Sequence, residues 1–108
     1  MDKDLIVTDP RGLTIRCSVW YWDNHVLAKH PEMKGCETFV EHALRAPTHG
    51  CIHTSKQRAD RHIYYGPFKG QLEIKVVVAF SSSQDEGIVV SVAAVSKRPD
   101  GEQLLWHK

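Results

Sequence analysis

Two histidines, a lysine and a proline fall within the short stretch His25-Val26-Leu27-Ala28-Lys29-His30-Pro31-Glu32-Met33. Imidazole has the unperturbed pKa nearest neutrality, so two rings beside a cation suit proton transfer next to a negatively charged substrate. The chain carries seven histidines, and one taken alone is more often a surface or core residue than a catalytic group. A second cluster lies downstream, where Lys56, Arg58, Arg61 and His62 face a single acid, Asp60, and the run closes on Tyr64-Tyr65. Ammonium and guanidinium groups attract phosphates, and aromatic rings give unpaired bases a stacking platform. The bland alternative is a solvated turn followed by a strand with one tyrosine turned into the core.

Other chemistries find little support in the spacing. Cys51-Ile52-His53, His49 and His30 could be drawn together on paper as metal ligands, but no paired ligand motif is present. No cofactor or metal is therefore expected. There is likewise no glycine-rich phosphate loop, no nucleophile elbow and no pair of carboxylates on a shared face.

The elements that must position these groups can be read from periodicity and punctuation. Leu5-Ile6-Val7-Thr8 and Leu13-Thr14-Ile15-Arg16 flank Asp9-Pro10-Arg11-Gly12, a hairpin turn in which proline presets one dihedral and glycine can take a positive φ. Ser18 or Asp23 can cap a helix running to Lys29, and Pro31 ends it by pushing His30 out of helical geometry. His25 and His30 then lie about 140° apart around a regular helix, and they share a face only if the chain leaves the helix at His30. Between Cys36 and Arg45 the apolar residues Cys36, Phe39, Val40, Ala43 and Leu44 oppose Glu37, Glu41, His42 and Arg45, the pattern of an amphipathic helix with a Glu41/Arg45 pair.

From Cys51 onward the chain has β character. Short strands are expected at Cys51 to Ser55 and Arg61 to Tyr65, with Gly66-Pro67-Phe68-Lys69-Gly70 breaking the run. Leu72 to Phe80 and Ile88 to Val95 form a hairpin of two central strands, and Gln103 to Trp106 a last short one. If Phe80 faces Ile88, Val77 falls opposite Ser91 and Lys75 opposite Ala93, which puts Lys75 and Ser91 on the less apolar face. The order is a hairpin, two helices and an antiparallel meander: an α+β domain with N-terminal helices on one face of an antiparallel sheet and the other face free for a ligand.

Length and composition agree with this. At 108 residues the chain fits one domain spanning 1–108. A formal charge of +1 excludes a global pull toward nucleic acid, so a polyanion must be met by a local patch. Three cysteines without paired spacing point to a reducing, cytoplasmic setting, and no run approaches the ~18 apolar residues of a membrane span.

The segment His25-Val26-x-x-Lys29-His30-Pro31-Glu32-Met33, with Phe39-Val40, Leu44 and Pro47, resembles the opening signature of phage-associated BECR nucleases. That superfamily groups barnase, EndoU, colicin-type and RelE-like ribonucleases. The likeness continues through Arg61-x-x-Tyr64-Tyr65, Leu72-x-x-Lys75-Val76-Val77-Val78 and Gly87-x-Val89-Val90-Ser91, and covers roughly Trp20 to Trp106. One departure is that Ser91 stands where threonine is usual, with Val92-Ala93 in place of a small residue and an aromatic. The resemblance implies metal-independent cleavage of RNA by the ribose 2′-OH, leaving a 2′,3′-cyclic phosphate. It implies His25 and His30 as acid and base, Lys75 with Arg61 as electrostatic stabilisers, and Tyr65 and Ser91 as positioning groups. Lys29, Lys56, Arg58 and Tyr64 are the expected RNA contacts. RNA is the expected partner, with an antitoxin or immunity protein as a second. A catalytically silent RNA-binding or protein-interaction module of the same fold is the alternative.

Overall fold

The computed structural model describes residues 1–83 and 85–108. Its seven strands are β1 (Leu5–Thr8), β2 (Thr14–Cys17), β3 (Cys51–Ser55), β4 (Arg61–Pro67), β5 (Glu73–Phe80), β6 (Glu86–Val95) and β7 (Glu102–His107). They form one sheet in the order β1-β2-β6-β5-β4-β3-β7. The helical residues are α1 (19–29) and α2 (Glu37–Arg45), with single 3-10 turns at Pro31–Met33 and Thr48–Gly50. This is an α+β domain with helices packed against a largely antiparallel, mixed sheet. No helix among the described residues is long and apolar enough to cross a membrane.

The amphipathic reading of α2 holds. Val40, Ala43 and Leu44 are wholly buried against Ile52, Tyr64, Ile74 and Val76, and each large side chain so removed from water contributes about 1.5–3 kcal/mol. Arg45 reaches Glu41 at 3.3 Å on the outer face. The helix lies so close to β4 that a Cβ on Gly66 would stand 2.8 Å from that of Ala43. Gly66-Pro67, expected to break the strand, instead complete β4, and glycine is there because the helix leaves no room for a side chain.

The first hairpin forms as expected, with Gly12 at φ 87° and its amide donating to the Asp9 carbonyl at 2.9 Å. Two features depart from a plain meander. β2 joins the sheet parallel to β6, from Thr14–Glu86 to Arg16–Ile88, so the sheet is mixed. β7 does not follow β6 but pairs antiparallel with β3 at the far edge. Residues 96–101 must therefore cross four inter-strand gaps of about 4.8 Å each, and at about 3.5 Å per residue the link has little slack. It runs as a strap over the face opposite the helices, which is thus free only in part.

In the central hairpin Phe80 faces Gly87, one residue away from the expected partner. A bulge between Val77 and Val78 then restores the expected register, with Val77 opposite Ser91 and Lys75 opposite Ala93. Val89 and Ser91 pair with consecutive residues of β5, so Val90 is the inserted residue.

Candidate functional site

The bulge at Val90-Ser91 is where the two groups of candidate residues meet. On one side lies a cleft of about 580 Å³ on the open face of the sheet, walled by the 55–58 loop and by strap residues Pro99 to Glu102. Its floor is Ile63, Val77 and Val90, and Arg61, Lys75 and Ser91 point into it. On the other side a small hollow of about 50 Å³ is lined by Tyr21, His25, Lys29, His30 and the same Val90 and Ser91.

Local structure explains how both histidines reach that hollow. Ser18 caps α1, its Oγ accepting from the Tyr21 amide at 3.0 Å, and Asp4 accepts from the Val19 amide at 2.9 Å. The helix then widens into a π turn at Trp22–Val26, in which the Leu27 amide reaches back five residues to the Trp22 carbonyl. His30 leaves the helix at φ −134°, just before Pro31. The wide turn and this exit together remove the angular separation that a regular helix would impose. β2 leaves β6 after Ile88, and from there α1 covers that edge. The Tyr21 hydroxyl donates to the Val90 carbonyl at 2.8 Å, satisfying a backbone group at the bulge. The Tyr21 ring also stacks on His25, with centroids 4.5 Å apart and planes 11° from parallel. Tyr21 thus ties the histidine to the bulge. Sequence reasoning missed that role, although its spacing of four residues from His25 is the signal that could have revealed it. His30 meets Glu32 at 3.1 Å through Nδ1. Ser91 is exposed between the two hollows.

The cationic residues are less free than the sequence implied. Lys56 and Arg58 are exposed at the rim. Arg58 lies 3.7 Å from Asp60, and Arg61 donates to the same carboxylate at 2.8 Å. Lys75 donates to Glu102 at 2.7 Å, and the Tyr65 hydroxyl donates to the other oxygen of Glu102 at 2.5 Å. Above Tyr65, Arg98 of the strap stacks at 4.1 Å and makes a twofold bond to Glu73, at 2.9 and 2.8 Å. That bond holds the Glu73 carboxyl below the usual range. Burial, followed by the bond to Glu102, raises the Tyr65 phenol well above its ordinary value. Burial, with the Arg98 charge next, lowers the pKa of His53, whose ring meets Tyr65 edge-on and whose Nδ1 is buried with no hydrogen-bond partner among the described residues.

Two expected contacts are corrected. Tyr64 alternates onto the helix-facing side, wholly buried, where its hydroxyl donates to Asp9 and accepts from Arg11, each at 2.8 Å. No base can stack on it. Tyr65 does face the open side, but it lies buried beneath the strap with its hydroxyl committed to Glu102, so it does not meet a ligand in the cleft directly. Glu102, Arg98 and Glu73 carried no signal in sequence, because their proximity depends on the long-range return of β7.

A third hollow, of about 490 Å³ near the first hairpin, has a different character: Ile6, Ile88 and Tyr21 rimmed by Asp4, Asp85 and Glu86. Among the described residues, no group of three or more histidine, cysteine or carboxylate side chains is gathered closely enough to hold a metal. No protein-family model, curated protein or solved structure matches the chain.

Proposed function

We propose that the chain is a BECR-type, metal-independent endoribonuclease acting on single-stranded RNA. The reading is carried by one observation: His25, Lys29 and His30 share a hollow with Ser91, and Ser91 also borders the cleft that holds Arg61 and the rim cations Lys56 and Arg58. A strand laid along the cleft over the apolar floor would bring a phosphodiester to the bulge, between imidazoles on one side and guanidinium on the other.

The chemistry is a transesterification. One imidazole removes the 2′-OH proton as the O2′–P bond forms, and the other protonates the 5′-oxygen as the P–O5′ bond breaks, leaving a 2′,3′-cyclic phosphate. In this reading Arg61 and Lys29 offset charge on the phosphoryl oxygens, and Ser91 donates to one of them. Tyr21 keeps the His25 ring against the bulge. An RNA-binding module without catalysis is the second reading, favoured by the carboxylates that already hold Arg61 and Lys75.

The test is cleavage of single-stranded RNA in excess chelator with end-group analysis. The expected product ends in a cyclic phosphate, and His25→Ala and His30→Ala each lower the rate at least tenfold while the circular dichroism spectrum is unchanged. Intact RNA, with binding retained, would favour the silent module.

A further inference from the structure

Lys75 lines the cleft where a phosphate would lie, and the phenol of Tyr65, buried beneath the strap, stands beside its ammonium as a second hydrogen-bond donor. The acceptor between them is Glu102, the first residue of β7, at 2.7 and 2.5 Å. Its side chain is 10% exposed. We infer that Lys75 is an oxyanion-binding position of the cleft that the chain's own Glu102 carboxylate occupies, held there by a second bond from the buried Tyr65 hydroxyl, so that Glu102 competes with RNA phosphate for Lys75.

An ammonium and a phenolic O–H both donate to an anionic oxygen, and each already has a carboxylate oxygen at charge-assisted distance. A phosphate brought to Lys75 would meet the Glu102 charge a few ångström away, in surroundings where solvent screens it weakly. Arg98, the cation over the Tyr65 ring, is paired through Nε and one Nη with the Glu73 carboxylate, which offsets its charge there. The inner end of the cleft is therefore neutral, while Lys56 and Arg58 at the rim keep accessible cations. RNA phosphates are drawn to the rim and held off Lys75. The inference rests on the RNA reading of the cleft and adds an internal restraint on affinity at that site.

The experiment measures the affinity of a single-stranded RNA oligonucleotide at fixed low salt for wild type, Glu102→Gln, Asp100→Asn, Arg61→Ala and Glu102→Gln combined with Lys75→Met. Asp100 lines the same cleft but is bonded to neither donor, so its variant controls for the bare change in charge. Glu102→Gln is expected to bind at least fivefold more tightly than wild type and Asp100→Asn less than twofold, with the gain lost in the double variant. Equal gains in the two single variants, or no gain in Glu102→Gln while Arg61→Ala still weakens binding, would overturn the inference and leave the RNA reading standing. Absence of binding in every variant would overturn both. A second measurement needs no substitution: RNA should protect Lys56 of the wild-type protein from acetylation by a reactive ester and leave Lys75 unprotected. Protection of Lys75 would contradict the inference.

Discussion

At the scale of the residue, the side chains that anchor the first hairpin carry more than their sequence suggested. Asp9 is almost wholly buried and accepts from the Arg11 and Leu13 amides, the Arg11 guanidinium and the Tyr64 hydroxyl. Arg11 in turn donates to His62 Nδ1 at 3.0 Å and lies 5.4 Å from the centre of the Phe80 ring. Because arginine can only donate, His62 is neutral with its proton on Nε2. Burial first, and the Arg11 charge next, lower its pKa to about 4, against the opposing pull of Asp9 and Asp60. Below an unfolded value of about 6.5 the unfolded chain therefore takes up a proton that the folded chain refuses. The stability His62 provides is complete above that pH and is lost as the pH falls toward about 4. His62→Asn keeps an acceptor toward Arg11 and does not titrate. The unfolding free energy of wild type minus that of this variant, from urea titrations, should fall between pH 6.5 and 4; a constant difference would refute the assignment. Asp9-Pro10-Arg11-Gly12 was legible as a turn from its proline and glycine. The network around its ion pair was not, since the hydrogen-bond partners of Arg11 beyond the turn, His62 and Tyr64, come from β4, some fifty residues away.

At the scale of the element, local pattern and long-range geometry divide the account. The period of α2 and the alternation of β5 depend on neighbours in sequence and were legible there. So was the exit of His30 from the helix, which Pro31 dictates. The π turn and the bulge have no such signature, yet they bring His25 and Ser91 to one hollow. The Val77–Ser91 pair was anticipated from a register that is one residue off at Phe80, and the bulge supplies the compensating residue. Gly66 shows how a turn residue can mislead: its lack of a side chain serves contact with Ala43. Gly66→Ala should lower stability by about 1–3 kcal/mol through overpacking, measured by denaturant unfolding. A neutral effect would mean that α2 can lift from the sheet without loss.

At the scale of the whole molecule, the return of β7 to the edge beside β3 is the feature least accessible from sequence. Strands consecutive in the chain are usually neighbours in the sheet, and nothing in Gln103 to Trp106 contradicts that default. The crossing strap covers Tyr65, delivers Glu102 to Lys75 and leaves the cleft between itself and the 55–58 loop. With a formal net charge of only +1, attraction for a polyanion must come from this local group. Arg58→Ala and Arg61→Ala should each weaken RNA binding at low salt and flatten the dependence of log affinity on log salt by about one phosphate contact. A loss that is the same at all salt concentrations would indicate damaged packing.

The central claim is that the histidine hollow and the basic cleft are one RNA site joined at Val90-Ser91. Its most direct test is a nuclear magnetic resonance titration of the isotope-labelled protein with a single-stranded RNA oligonucleotide. The account predicts that the ring signals of His25 and His30, the Ser91 amide and the Arg61 side chain shift together with one dissociation constant. Shifts confined to one hollow, or centred on the Ile6–Ile88 surface, would contradict it.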